Sequence, residues 1–468
     1  MAHITQVLAV PAVGAYYYED LAALHAAPMP IEQRYTATPV TAGFGHVREV
    51  AQAVSVGLLL DSGDVAWGDC VAVVYSGKAG RDPVFRTREG IATIQRTVAP
   101  ALRGKKVTTF RELVAGVEEL QESVEALRPA PRPEPQEEPG VRDPSRRRLL
   151  TAAARLLSPY PDDQEGSREK ILQERITVRR RLHTAVRYGI SQALLQAVAM
   201  TRGLTMAEVI AEEWGLPRPE APVPIHAQSG SERYHNADKM IIRRVASLPH
   251  ALVDDIPQQL GESGGELIRY MRWLKGRIEA LGGEYCTIHL DLHGALGTLY
   301  HNNLGRVLGQ MRAMELVANP YPLRIESPVI MKDREAQIEA MQRLCEYLRF
   351  RDMGTQLVVD EWANTLEDIQ AFIQAQAAHM IQIKMPDLGG VQNAVEAVLA
   401  CQAGDVGAFL GGSCAETDLS ARVSVHVALA TRPDIVMAKP GMGVDEAIML
   451  TQNEMSRTLA QIQARQLG

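Results

Sequence analysis

The sequence predicts an α/β protein: an eightfold β/α barrel preceded by a smaller α+β unit. Three observations point there. Residues 222–468 number 247 and alternate strand-like with helix-like patterns, against about 250 residues for a typical barrel of this kind. Three acids, Asp291, Glu326 and Asp360, each end an apolar run, and Lys384 ends the next, at steps of 35, 34 and 24 residues. Each step holds one strand, one helix and two loops, so groups at the carboxyl ends of successive parallel strands converge on one barrel face. A doubly wound open sheet is the alternative, but no GxGxxG turn after a strand and no GxxxxGK[ST] loop supports it.

In chain order, 54–60 and 65–75 are β-rich runs joined by Asp61-Ser62-Gly63-Asp64, a good hairpin turn. Helical patterns follow over 87–99 and 111–126. Between 127 and 175 the chain changes character. Eight of its 26 prolines fall between 129 and 161, a density that removes backbone donors and blocks helix, so this is an exposed linker or insertion. Arg146-Arg147-Arg148 and Arg179-Arg180-Arg181 flank a short helical patch at 149–157; a solvated basic face is favoured over a site for an anionic partner. Leu182, Ala185, Val186, Gly189, Ala193, Leu194, Ala197 and Val198 repeat at helical spacing, and 206–214 continues helically up to Pro217-Arg218-Pro219. Strands are then expected near Ile225, Ile242, Leu290, Ile325, Val358, Ile383, Phe409 and Val436. Two domains result, 1–221 and 222–468.

Composition fits a large enzyme. Hydrophobic residues at 46% and charged residues at 22% are ordinary globular usage, enough for a sizeable core. The formal net charge of −7 argues against a nucleic-acid partner. Five widely spaced cysteines without a CxxC pair argue against a disulfide framework and make a reducing cytoplasm the expected setting. No basic leader and no run of 18 apolar residues is found, so neither a signal peptide nor a membrane span is expected.

Carboxylate oxygens from Asp291, Glu326 and Asp360 suit Mg²⁺ or Mn²⁺. Gln382 and Lys384 lie two apart on a strand and share one face, leaving Ile381, Ile383 and Met385 to pack on helices. A lysine facing a cation is expected to have a lowered pKa and to supply free amine as a base. His250, after Ser247-Leu248-Pro249, is by itself a structural hydrogen-bonding residue on the loop side. His226 and Gln228 alternate on the first barrel strand. Gly411-Gly412 before Ser413-Cys414 lets backbone amides approach an anionic group such as a carboxylate. Cys414 as a nucleophile lacks a local histidine partner. One rival remains: His289, Asp291 and His293 alternate on one face and could hold zinc or iron in a metallohydrolase barrel, but this leaves Glu326, Asp360 and Lys384 without work.

The chain resembles methylaspartate ammonia-lyases, members of the enolase superfamily. The resemblance runs through Tyr75-Ser76-Gly77, Gly80-Arg81-Asp82-Pro83, the stretch Arg181-Leu182-His183-Thr184-Ala185-Val186-Arg187-Tyr188-Gly189-Ile190, Ala227-Gln228-Ser229-Gly230 and Asp238-Lys239-Met240-Ile241-Ile242. It continues in Leu248-Pro249-His250-Ala251-Leu252, Val359-Asp360-Glu361-Trp362, Pro386-Asp387-Leu388-Gly389-Gly390 and Ala438-Lys439-Pro440-Gly441-Met442-Gly443-Val444-Asp445-Glu446. It implies an enolase-type barrel under an N-terminal α+β capping domain. It further implies Asp291, Glu326 and Asp360 as Mg²⁺ ligands, Lys384 as catalytic base and His250 as the histidine that stabilises the transition state. Gln228, Gln382, Ser413 and Cys414 are implied to hold the substrate. A homodimer acting on a small amino acid is expected, with room for a monovalent cation such as K⁺. Three departures stand out: Ser413 where threonine is expected, His293 where a tyrosine is frequent, and the proline-rich insertion. The implied reaction is reversible loss of ammonia from 3-methylaspartate, giving mesaconate. Other enolase-type lyases, racemases or dehydratases, and a barrel that has lost catalysis, are the alternatives; the latter would usually lack one of the four groups present here.

Overall fold

The structure is a computed structural model describing residues 2–27, 29–129, 173–230, 232–283 and 285–467. It opens with three antiparallel strands in the order β1 (Ile4–Glu19), β2 (Arg48–Leu60) and β3 (Val65–Cys70). Leu60 N donates to Asp64 O at 2.9 Å across the β2–β3 turn, and Val54 pairs with Cys70 at its far end. The helix Thr184–Arg202 packs on β2 and β3 and is buried along most of its length. Two glycines set that approach. A Cβ on Gly189 would lie 2.5 Å from Cys70 N, and one on Gly68 would collide with Gly189 O. Backbone meets backbone at this crossing, and no side chain fits between.

Eight parallel strands then close a barrel: β6 (Ile225–His226), β7 (Ser247–His250), β8 (Thr287–Asp291), β9 (Leu323–Glu326), β10 (Gln356–Val359), β11 (Met380–Ile383), β12 (Gly407–Leu410) and β13 (Ile435–Met437), with β13 pairing back to β6. The two-residue alternation of side chains sorts them by face. Val358, Met380, Phe409, Ile435 and Met437 form an apolar plug. Ile381, Ile383 and Met385 join the large core that the barrel shares with its helices. Above the plug the interior turns polar: the rings of His226 and His289 lie 5.1 and 5.4 Å from that of Phe409.

Residues Met1–Leu120 and Leu182–Gly468 form one compact body, and Gln121–Arg181 form a second unit. In that unit β4 (Gln121–Pro129) pairs antiparallel with β5 (Gln173–Arg181). Among the described residues no single helix is long and apolar enough to cross a membrane. The helices Thr184–Arg202 and Met206–Trp214 pass only as a pair, bent by 92°.

The β run expected over 65–75 ends as a strand at Cys70, and three further expectations need correction. Ile242 is not in a strand: it ends the helix Arg233–Ile242, whose buried face is Arg233, Ala237, Met240 and Ile241, and the second barrel strand is Ser247–His250. The helix expected over 111–126 stops at Glu118, because its apolar face of Phe110, Leu113, Val114 and Val117 ends there and strand pairing takes over from Gln121. The outer ends of the 127–175 insertion, 127–129 and 173–175, belong to the legs of the β4–β5 hairpin; the rest, with the helical patch at 149–157, lies outside the described residues. Arg179–Arg181 are exposed, and Arg180 pairs with Glu122 at 2.8 Å, as a solvated face does.

Candidate active site

The barrel topology brings the expected groups to one mouth. Asp291 ends β8 and Glu326 ends β9, and the two are register partners on neighbouring strands. Asp360 follows β10 and Lys384 follows β11. The three acids are buried and Lys384 is partly buried. Lys384 Nζ donates to Asp360 Oδ2 at 2.6 Å. Gln382, one inward position earlier on β11, donates through Nε2 to Glu326 Oε1. His250 ends β7, so four strand steps separate it from β11 in either direction around an eightfold ring. Its Nε2 lies 3.4 Å from Asp291 Oδ2.

Packing so many ionisable groups together shifts them. Burial, then the charges of Asp291 and Asp360, drive the Glu326 carboxyl well above the usual range. Burial also raises Asp360, although Lys384 opposes it. Asp291 is the exception: burial works to raise it, but the hydrogen bond with His250 brings it below its ordinary value. The expected depression of Lys384 does not arise from these side chains. Burial lowers its pKa, but the adjoining Asp360 carboxylate outweighs this and the net shift is upward. The reading of a neutral lysine rests on the charge of a cation held by the same carboxylates.

Ligand atoms of His250, Asp291 and Glu326 all lie within 4.8 Å of one another. Asp360 is not in that group; it is held by Lys384 instead. Carboxylate oxygens at one strand-end rim are donors that fit a hard divalent ion. The rival set does not form. His289 turns inward and its Nε2 lies 2.8 Å from Glu326 Oε2. His293 lies past the strand end at φ +45°, stacked on Tyr75 with ring centres 4.7 Å apart. Among the described residues His289, Asp291 and His293 are not a converging group.

On the β6–β13 side of the mouth a cavity of about 590 Å³ is lined by Gln228 and Cys414 together with Tyr17, Arg48, Arg233 and Lys439. It is not lined by the carboxylates or Lys384. Ser413 sits behind Cys414, its hydroxyl accepting from Val74 N at 2.9 Å. The Cys414 thiol is pushed up to about 11, chiefly by burial and against a hydrogen bond with Tyr17, which does not suit a nucleophile.

The sequence reading gave Arg81, Glu361 and Asp387 no role. Arg81 Nη1 donates to Glu361 Oε2 at 2.7 Å and its Nε to Asp387 Oδ2 at 2.9 Å. A signal existed: two acids flank Asp360 and Lys384 in sequence, and acids buried there require a cation from elsewhere in the chain. His226 was singled out without a role; its Nε2 lies 3.2 Å from His250 Nδ1.

A closed parallel barrel with three carboxylates and a lysine at four consecutive strand ends, preceded by a sheet-and-helix unit, defines an enolase-type fold. At the level of fold alone, the L-Ala-D/L-Glu epimerase of Bacillus subtilis matches with a TM-score of 0.57 at 14% identity, covering 96% of this chain and 91% of the epimerase. Residues 219–464 match the family model for the methylaspartate ammonia-lyase C-terminus, and residues 2–132 and 163–215 that for its N-terminus. The chain belongs to the methylaspartate ammonia-lyase family. It is 40% identical over 465 residues to methylaspartate ammonia-lyase 2 of Carboxydothermus hydrogenoformans, covering 99% of each. The structure of β-methylaspartase from Clostridium tetanomorphum in its Mg complex matches with a TM-score of 0.80 at 36% identity, covering 99% of this chain and 100% of that one. The Citrobacter amalonaticus methylaspartate ammonia lyase containing (2S,3S)-3-methylaspartic acid matches with a TM-score of 0.82 at 37% identity, covering 98% of this chain and 100% of that one. The N-terminal model skips residues 133–162, within the proline-rich stretch.

Proposed function

We propose that this chain is a carbon–nitrogen lyase that eliminates ammonia from 3-methylaspartate to give mesaconate, reversibly, with Mg²⁺ as cofactor. The observation that carries the reading is the convergence of Asp291, Glu326, Asp360 and Lys384 at the ends of β8 to β11. In this reading residues 1–221 are the cap and 222–468 the catalytic barrel.

The hydrogen on the methyl-bearing carbon is weakly acidic, because removing it places a second negative charge on the adjoining carboxylate. Mg²⁺, held by Asp291, Glu326 and Asp360, supplies the positive charge that stabilises this build-up. Lys384 as the free amine takes the proton. The electron pair left on that carbon then forms the carbon–carbon double bond as the carbon–nitrogen bond breaks, and the ammonium group departs as neutral ammonia. His250, on the strand opposite β11, faces the substrate from the other side and supports the developing charge. Gln228, Gln382, Ser413 and Cys414 orient the substrate; the cavity lining supports this for Gln228 and Cys414, and the shared inward face with Lys384 supports it for Gln382.

The reading extends to a homodimer, which light scattering would give as about twice 51.3 kDa, and to a cytoplasmic setting, which five free cysteines support. A proton NMR time course with 3-methylaspartate tests the reaction. With Mg²⁺ the signal of the proton on the methyl-bearing carbon should decay as a vinyl signal and ammonia appear; with Mg²⁺ present and no vinyl signal, the reading fails.

A further inference from the structure

We propose that Arg81, from the N-terminal part of the chain, is a positioning residue that holds the loop bearing Asp360 and the loop bearing Lys384 in fixed relation; this rests on the roles read above for those two groups. Its guanidinium is buried, with a side-chain exposure of 2%. It bridges two neighbouring strand ends: Nη1 to Glu361 Oε2 at 2.7 Å after β10, and Nε to Asp387 Oδ2 at 2.9 Å after β11. Its Nη2 lies 3.8 Å from Asp360 Oδ1. Glu361 directly follows Asp360, and Asp387 lies three residues beyond Lys384. Fixing those two carboxylates therefore fixes the backbone on which the metal ligand and the base stand.

A guanidinium suits the task because it is planar, always charged and donates in several fixed directions at once. The segment carrying it is itself held at the barrel mouth. Val74 N donates to Ser413 Oγ at 2.9 Å after β12. Tyr75 stacks on His293 after β8, and Asn364 Nδ2, after β10, donates to Ala79 O. Arg81 N in turn donates to Lys78 O at 3.0 Å, which folds the segment back on itself. Arg81 does not line the cavity beside Gln228 and Cys414, so it acts through its partners. Without it, Glu361 and Asp387 become buried carboxylates lacking their countercharge, and the two loops separate.

The test compares Arg81→Ala and Arg81→Lys with the native full chain at saturating Mg²⁺. For Arg81→Ala, kcat for 3-methylaspartate should fall about 100-fold, the scale of a misplacement of about 1 Å. KM should stay within about threefold, because substrate binding is not what is lost. Added methylguanidine should recover part of kcat and methylammonium should not. Amide exchange over residues 360–364 and 384–389, read by mass spectrometry, should accelerate in the variant and slow again with methylguanidine. Arg81→Lys keeps the charge without the fork and should lose at least about tenfold in kcat; it carries the test if Arg81→Ala does not fold. A kcat within about threefold of native in a folded variant, a loss confined to KM, or unchanged exchange in both stretches overturns the proposal. Lys384→Ala runs alongside: native-like Arg81 variants beside an inactive Lys384→Ala sink only the positioning role, whereas an active Lys384→Ala sinks the reading of the site.

Discussion

In the proposed function Asp291, Glu326 and Asp360 hold Mg²⁺ together, so none substitutes for another. Asp291→Asn, Glu326→Gln and Asp360→Asn should each lower the initial rate at least about 100-fold, the scale of losing one main electrostatic contribution. A chelator should abolish turnover and added Mg²⁺ restore it; full activity in a metal-free sample would contradict this. The Cys414 thiol, raised by burial to about 11, is protonated at neutral pH. After iodoacetamide treatment at pH 7, mass spectrometry should find it unmodified, and rapid alkylation would show a thiolate instead. Much at this scale was legible in the sequence, because a two-residue alternation decides which strand residues face inward; Gln382 and Lys384 were found that way. Arg81 was not, because its partners Glu361 and Asp387 lie 280 and 306 residues away. His293 misled because alternation was carried past the strand end, where the backbone turns left-handed.

The elements depend on contacts that local pattern does not show. The crossing of β3 with the helix Thr184–Arg202 leaves no room for a methyl group at Gly189. Gly189→Ala should destabilise the fold by about 1–3 kcal/mol through overpacking, read as a lowered midpoint in urea; an unchanged midpoint would contradict the crossing. A second prediction concerns the helices Asp418–Thr431 and Val444–Leu467. Glu454 is held down to about 2, first by its hydrogen bond with His426 and then, against burial, by Arg422. A carboxyl with a depressed folded-state pKa stabilises the fold above its ordinary value of 4.5, and that stabilisation is lost as pH falls toward about 2. Glu454→Gln should lower the melting temperature at pH 7, with the gap to native closing between pH 4.5 and 2; a gap that widens on acidification would contradict the assignment. Long helical repeats such as 184–202 were legible, since their apolar positions recur over several turns. Short strands were harder. Ile242 looked like a strand centre because a run of three apolar residues fits either state, and the buried helical face decided it.

For the whole molecule, closure of the barrel was readable from its length and from the steps of 35, 34 and 24 residues between the groups that end four of its strands. The joining of residues Met1–Leu120 to the barrel was not, because it rests on single long-range contacts such as Val74 with Ser413. The family model skips residues 133–162, within the proline-rich stretch. Replacing them by a short flexible linker between β4 and β5 should leave the melting temperature and turnover close to native; loss of soluble protein or of substrate binding would make the segment a working part of the cap. The central claim is that Lys384 removes the proton from the methyl-bearing carbon. The most direct measurement is exchange of that proton with deuterated solvent, followed by NMR in the native chain, His250→Ala and Lys384→Ala with Mg²⁺ present. Exchange for the favoured diastereomer should survive in part in His250→Ala and vanish with turnover in Lys384→Ala. Exchange at the native rate in Lys384→Ala would mean that another group is the base.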